Sequence, residues 1–242
     1  MIKYKLTLII TLALGIIAQG QSNLSGTVIY KASHDKTLIE NSKKSTDKES
    51  EGVKGANDLL NNASDVYTTL NFNNKESSYS VNEKLRVDGM TSINITYFFA
   101  GGENLFYHNK DSLGIIISNS SLGKKYLIKY DAPNWVITKE TKQIDDLLCI
   151  KANATTTIDK KEKIIATAWF CPNIPISYGP MQYYGLPGLI IELHFSKMTL
   201  IAEKINLNKE NVIIEKHKES PVLTHEEFLE IAKEKASGFF DN

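Results

Sequence analysis

Short runs rich in apolar and β-branched residues, each followed by a polar turn, recur along most of this chain. Their spacing of about 8–12 residues predicts an antiparallel sheet in which neighbours in sequence pair, rather than parallel βαβ units. The predicted strands are 24–33, 66–72, 76–81, 93–100, 104–109, 113–120, 124–131, 135–141, 147–154, 164–171, 189–195 and 198–205.

The last two runs give the clearest register. A two-residue turn at Ser196 and Lys197 places six residues on one face, because side chains alternate with a period of two. All six are apolar, which predicts that this face lies in the core; they are Ile191, Leu193, Phe195, Met198, Leu200 and Ala202. The opposite face carries Glu192 and His194 and is mostly polar.

One helix is predicted, at the C-terminal end of the chain. Thr224 and Glu227 fit a capping box, and an apolar stripe at helical spacing follows. Residues 40–58 are charged and almost free of apolar side chains, which predicts a mobile loop. The predicted fold class is therefore mainly β: a single domain over residues 21–242, with a curved antiparallel meander resembling an open half-barrel and a C-terminal helix.

Residues 1–20 have the pattern of a secretory signal peptide. Lys3 and Lys5 precede an apolar stretch from residue 6 to residue 18, and Ala18-Gln19-Gly20 offers small residues at the cleavage positions. A retained membrane anchor is the alternative, but 13 residues are too few to span a bilayer as a helix. We therefore expect an exported protein that is periplasmic, outer-membrane-associated or extracellular, with no transmembrane span in the mature chain.

Composition and charge narrow the function classes. The 242 residues include 28 basic and 28 acidic side chains, and no basic run interleaved with aromatics indicates a nucleic-acid partner. The five histidines show no zinc-ligand spacing, and no phosphate-binding glycine loop or Gly-x-Ser-x-Gly elbow occurs. The sequence therefore predicts no catalytic residue, no metal site and no cofactor.

The two cysteines, Cys149 and Cys171, suit an oxidising compartment. If the strands around them form a hairpin centred near Lys160, they lie opposite each other, which makes a disulfide a candidate. Directly opposed residues are slightly farther apart than a disulfide prefers, and register can slip, so two separate buried thiols remain the alternative.

Residues 168–193, "AWFCPNIPISYGPMQYYGLPGLIIEL", contain four of the six prolines and many aromatics. Proline fixes φ, so this connection between two strands is expected to be stiff and irregular. In Leu186-Pro187-Gly188-Leu189 the order Pro-Gly predicts a type II turn with positive φ at Gly188. Gly185 just before it is expected to allow close backbone approach. A ligand-binding loop is the alternative.

This stretch, with the block "WVITKETKQIDDLLCIKA" at 135–152, resembles the GLPGLI family of secreted Bacteroidetes proteins. Cys171 and the "MQYY" after Gly179-Pro180 depart from the family pattern, so a disulfide would be particular to this chain. The resemblance implies no activity and no catalytic residue. It marks as a family motif of unassigned role Gly185, Leu186, Pro187, Gly188, Leu189 and Ile190, together with Trp169, Pro172, Pro175, Gly179 and Pro180.

The function expected from these observations is non-enzymatic binding in the cell envelope. A long sheet with one apolar face could hold an apolar ligand, a lipidated protein or another envelope component, although such fold analogy says little about function. The alternative is a structural or protein–protein interaction module that uses the proline-rich loop or a sheet edge. A hydrolytic enzyme is the third hypothesis.

Overall fold

Twelve strands hydrogen-bond side by side into one sheet in the computed structural model, which describes residues 24–34, 63–82, 94–112, 114–158, 160–218 and 220–240. Their order is β12-β6-β5-β4-β3-β2-β1-β11-β10-β9-β8-β7, so the sheet is open and β12 and β7 form its two edges. The predicted mainly β, single-domain fold is confirmed. The signal peptide and the charged loop at 40–58 lie outside the described residues.

Most predicted strands appear within one or two residues of their expected bounds. The strands are β1 (Gly26–His34), β2 (Val66–Phe72), β3 (Glu76–Val81), β4 (Phe106–Asn109), β5 (Ile115–Asn119), β6 (Tyr126–Tyr130), β7 (Asn134–Ile144), β8 (Leu147–Ile158), β9 (Lys161–Cys171), β10 (Leu189–Phe195), β11 (Met198–Leu207) and β12 (Val222–Thr224). The helices are α1 (Ile95–Phe99) and α2 (His225–Phe240).

The predicted meander is present as two halves. Strands β1 to β6 pair in chain order, as do β7 to β11, and all these pairs are antiparallel. The halves join where β1 pairs with β11, from Gly26 opposite Leu207 to His34 opposite Met198. This long-range pairing and the parallel pairing of β12 with β6 were not predicted.

The prediction of a strand at 93–100 is wrong, because the chain forms the short helix α1 there. The Asn94 side chain caps it by accepting a hydrogen bond from the Thr96 N–H. Gly101 and Gly102 then adopt φ values of 126° and 58°, which end the helix. These capping signals outweigh the strand propensity of the apolar run between them.

One face of the sheet carries the core, and we call it the apolar face. In β1, Val28, Tyr30 and Ala32 are fully buried on this face. Tyr30 lies opposite Thr68 of β2 and Ala202 of β11, so the buried rows continue across the sheet. The other face, which carries Glu192 and other polar side chains, is called the polar face below.

The β10–β11 hairpin has the predicted register. Phe195 lies opposite Met198 and Leu193 opposite Leu200, with Ser196 and Lys197 in the turn.

The predicted capping box of α2 is confirmed, since Glu227 accepts hydrogen bonds from the main-chain N–H and hydroxyl of Thr224. Within the described residues, neither helix is both long and apolar enough to cross a bilayer.

Candidate functional site

Residues 172–188, here called the covering segment, connect β9 to β10 and lie against the apolar face. Outward and inward residues alternate where the prolines stiffen the chain: Pro172 and Pro175 are exposed, whereas Ile174 and Ile176 are buried. The inward side chains join the main hydrophobic core, together with Tyr178, Tyr183 and Leu186. The apolar face is therefore filled by the chain's own side chains.

Side chains of the sheet anchor this segment through hydrogen bonds. The Trp135 indole Nε1 donates to the main-chain oxygen of Tyr184 at 2.8 Å, and the Tyr30 hydroxyl donates at 2.7 Å to that of Ile190, which lies in β10 just beyond the end of the segment. Both donors are aromatic groups that would need a partner once buried. Main-chain bonds within the segment add rigidity, such as Gly185 N to Ser177 O at 2.9 Å.

The two glycines of the motif have the opposite roles from those predicted. Gly185, and not Gly188, has a positive φ, at 96°. Gly188 donates its N–H to the Leu186 oxygen at 2.8 Å around Pro187, so the predicted type II turn is absent. A Cβ at Gly188 would lie 2.3 Å from the Cys171 carbonyl oxygen. Gly188 is thus required by close backbone approach.

The other motif residues do not converge on one site. Gly179 packs against the Tyr183 carbonyl, where a Cβ would approach to 2.5 Å, and Pro180 is buried beside it. Trp169 lies on the polar face, where Lys142 and Lys151 stand 5.4 and 6.0 Å from its ring centroid. The motif therefore shapes the covering segment, whereas Trp169 belongs to a separate group of charged side chains.

The predicted disulfide is not formed, and Cys149 and Cys171 are buried free thiols. The hairpin register itself is as predicted, since Ile150 lies opposite Phe170. Directly opposed positions on antiparallel strands hold their Cβ atoms farther apart than the roughly 3.8 Å typical of a disulfide. Burial, with a smaller contribution from Cys171, raises the pKa of Cys149 to about 12, so this thiol stays protonated and unreactive.

Four residues of the polar face form a hydrogen-bonded series that we call the Glu192 cluster: Glu192, Lys142, His194 and Thr199. Glu192 is only 6% exposed, and its two oxygens accept from Lys142 Nζ at 2.7 and 2.9 Å. His194 Nε2 donates to Glu192 at 2.5 Å, which leaves Nδ1, 3.1 Å from the Thr199 hydroxyl, as the acceptor in the neutral ring.

Charge and hydrogen bonding keep Glu192 ionised. The His194 hydrogen bond lowers the pKa of Glu192, burial opposes this, and Lys142 lowers the pKa further. The alternation along β10 placed Glu192 and His194 on the polar face correctly, but it gave no sign of Lys142, the partner of Glu192. That lysine comes from β7, which β9 and β8 separate from β10 in the sheet, and nothing in the local pattern indicates this contact.

The order hydroxyl, imidazole, carboxylate in this cluster is the order found in nucleophilic hydrolases. The main chain of Thr199, however, is paired on both sides, with His194 of β10 and Ser33 of β1. The strand therefore offers no pair of free N–H groups beside the hydroxyl to stabilise an oxyanion. No group of acidic, histidine or cysteine side chains among the described residues could hold a metal ion.

A buried histidine was also missed. His108 of β4 follows Phe106 by two residues and so shares its inward face, the one local signal that could have revealed it. Its ring lies 4.4 Å from that of Tyr184 and 5.6 Å from that of Tyr178. Burial, assisted by Lys110, lowers the pKa of His108 to about 4. Within the described structure, His108 Nδ1 and the Tyr178 hydroxyl have no hydrogen-bond partner.

The β8–β9 hairpin projects beyond its neighbours, and we call residues 155–165 the arm. The outermost pair of β9 with β10 is Ala166 with Phe195, and that of β8 with β7 is Thr155 with Asn134. Farther out, β8 and β9 pair only with each other. Three isoleucines of the arm have largely exposed side chains: Ile158, Ile164 and Ile165.

A protein-family model described as "Protein of unknown function (Porph_ging)" matches residues 155–192, from the arm through the covering segment to Glu192. The chain is similar to this family of unknown function over that stretch, and the match does not confirm the resemblance to the GLPGLI family. No curated protein matches the chain.

Two solved structures of PNGF-II, in space groups C2 and P21, are similar to this chain with TM-scores of 0.45 and 0.49. Their sequence identities are 9% and 8%, and they cover 83% and 86% of this chain. The chain in turn spans 31% and 33% of those PNGF-II chains, about a third of their length. Similarity at this level says nothing about the activity of the present chain.

Proposed function

We propose that this chain is a non-catalytic binding protein of the cell envelope that attaches to an envelope component through its arm. One observation carries the proposal: the apolar face is filled by the covering segment, whereas the isoleucines of the arm are exposed. Ile164 and Ile165 are neighbours in β9, and contiguous exposed apolar surface commonly marks interaction sites. This favours the interaction module over a carrier that holds an apolar ligand inside the sheet.

The carrier hypothesis loses support for a physical reason. Tyr178 and Leu186 of the covering segment are each only 1% exposed, and they occupy the space against the sheet that an apolar ligand would fill. A ligand could enter only by displacing these side chains and breaking the hydrogen bond that Trp135 donates to Tyr184. Leaving such a group unpaired costs about 1–3 kcal/mol.

Export belongs to the same proposal. The signal-peptide pattern of residues 1–20 supports delivery out of the cytoplasm, and an oxidising compartment is compatible with two cysteines that are both buried. Mass spectrometry of the protein from its own host should find a chain that begins at Gln21. An unprocessed N-terminus would contradict export by this route.

The test of attachment is sedimentation of the purified mature chain with envelope membranes isolated from its host. We expect the chain to pellet with them and the Ile164→Thr/Ile165→Thr double variant to lose most of this binding. Threonine keeps the β-branched shape, so the strand should persist. Ile213→Thr is the matched control, because Ile213 is 79% exposed but lies outside the arm.

Two results would overturn the proposal. One is equal binding by the arm variant and the wild type, which would show that the isoleucines contribute nothing. The other is a tightly held apolar molecule extracted from the purified protein, which would restore the carrier hypothesis.

A further inference from the structure

We infer that the envelope component contacted by the arm is a lipid surface with anionic headgroups. This inference rests on the proposed attachment through the arm and names the chemistry of its partner. Three observations support it: two separate apolar projections, lysines in the turns of the arm and of the β10–β11 hairpin, and the unpaired edges of the arm.

The second apolar projection is α1. Phe98 is 61% exposed and Phe99 is also exposed. Burial of large aromatic side chains contributes strongly to stability, so two exposed phenylalanines in one short helix are a notable feature. The ring of Phe99 stacks at 6.4 Å on His34, the last residue of β1. His34 lies opposite Met198, which follows the β10–β11 turn, so α1 stands at the same end of the sheet as the arm.

The spacing of the two projections fits a broad surface. From β1 to β9 the sheet crosses β11 and β10, a lateral distance of about 14 Å at the usual strand spacing. Phe98 and Ile164 therefore do not form one continuous groove or patch. Two apolar points at one end of a sheet can both enter a planar interface, where aromatic and aliphatic side chains bury their apolar area together.

The charge at this end matches an anionic surface. The turns of the arm and of the β10–β11 hairpin carry four lysines and two acidic residues: Lys160, Lys161, Lys163 and Lys197, with Asp159, which lies outside the described residues, and Glu162. The chain as a whole has formal charge zero, so these two turns are more basic than the chain average. Lysine side chains can lay their stems along apolar surface while the ammonium groups reach lipid headgroups.

The unpaired edges of the arm set the depth of contact. Beyond the Ala166–Phe195 and Thr155–Asn134 pairs, each strand of the arm has one edge without a partner strand among the described residues. Main-chain groups on such edges cannot be left without hydrogen bonds in a hydrocarbon core. The arm is therefore suited to the headgroup region, where water still satisfies them, and not to spanning the bilayer.

The test uses flotation of the purified mature chain with protein-free vesicles. One set contains phosphatidylcholine only, and the other contains phosphatidylcholine with phosphatidylglycerol. We expect binding to the anionic vesicles that weakens with added salt, and little binding to the neutral ones. The Lys160→Gln/Lys161→Gln/Lys163→Gln variant should bind more weakly, on the order of fivefold for each lysine that lies near the surface.

Apolar contact is tested separately with Phe98→Ser and with the Ile164→Thr/Ile165→Thr double variant. Each should reduce vesicle binding severalfold, whereas Ile213→Thr should leave it unchanged. Circular dichroism and the urea midpoint show whether each variant keeps its fold.

The outcomes separate this inference from the proposed function. If host envelope membranes bind the chain, lose that binding after proteinase treatment, and protein-free vesicles bind nothing, the partner is a protein. The lipid inference then falls and the attachment proposal stands. If neither membranes nor vesicles bind the chain, both fall.

Discussion

Strand β9 begins inside the arm and ends where the covering segment starts, and these two segments have similar apolar character but opposite environments. On one side the arm holds Ile158, Ile164 and Ile165 in solvent; on the other, the covering segment buries Ile174 and Ile176. Ile164 is 61% exposed and Ile176 is 3% exposed, although both are isoleucines in or close to β9. Apolar character alone thus does not decide which of two neighbouring segments enters the core.

The difference follows from what each segment meets. The covering segment turns back over the apolar face, where β1, β2 and β4 present buried side chains to it. The arm continues straight past the ends of β7 and β10 and meets no other strand. An isolated two-stranded hairpin is only marginally stable in water, so the arm depends on its root in the sheet.

The largest expected effect is at the root of the covering segment. Gly188→Ala should destabilise the protein by about 4 kcal/mol, because its Cβ would collide with the Cys171 carbonyl. Gly185→Ala is the matched variant: it meets only the Ala132 Cβ at 3.8 Å and suffers the strain of a positive φ, about 1–2 kcal/mol. Urea unfolding of both variants measures the difference.

Equal costs at the two glycines would contradict close approach as the reason for Gly188. If Gly188→Ala proves too unstable to purify, the fraction of soluble protein compared with Gly185→Ala still ranks the two.

A smaller effect is expected from the same substitution made on each side of β9. Ile176→Ala should cost about 3 kcal/mol, since it removes buried methyl groups from a packed site. Ile164→Ala should cost less than about 1 kcal/mol, because its side chain already lies in water. Chemical denaturation gives both free energies, and similar values would show that the arm is packed in solution.

Acid should lower the free energy of unfolding through His108, which packs against the covering segment, and not through the arm. The pKa of His108 is held near 4, below its ordinary 6.5, so the unfolded chain binds the proton first as the pH falls. This contribution is complete above pH 6.5 and is lost between there and pH 4. We expect up to about 2 kcal/mol less stability at pH 5 than at pH 7.

His108→Gln should remove this part of the pH dependence, as measured by thermal unfolding across the same range. A slope that persists unchanged in the variant would assign the acid sensitivity to another group.

The smallest effect is expected on the polar face. Glu192→Gln should cost about 1 kcal/mol, because a buried carboxylate that accepts bonds from Lys142 and His194 loses its charge. Glu140→Gln breaks only the more exposed pair with Lys151 and should cost no more than about 0.5 kcal/mol. Urea midpoints of the two variants test the order, and a reversed order would show that Glu192 is poorly paired in solution.

Much of the fold could be predicted because its signals are local. The alternation in β10 and β11 defined their pairing, and Thr224 with Glu227 defined the start of α2. The error at 93–100 arose because capping by Asn94 and the two glycines outweighed strand propensity. The candidate site was less predictable, since Glu192 and Lys142 come from strands that are not neighbours.

The sequence by itself determined the mainly β class, the hairpins and the presence of a glycine requirement in the motif, because strand period and turn chemistry act over a few residues. The tertiary structure decided that β1 joins β11, that Gly188 and not Gly185 lies against Cys171, and which isoleucines are buried. Close approach and burial depend on segments far apart in the chain, and their positions are fixed only when the whole sheet has assembled.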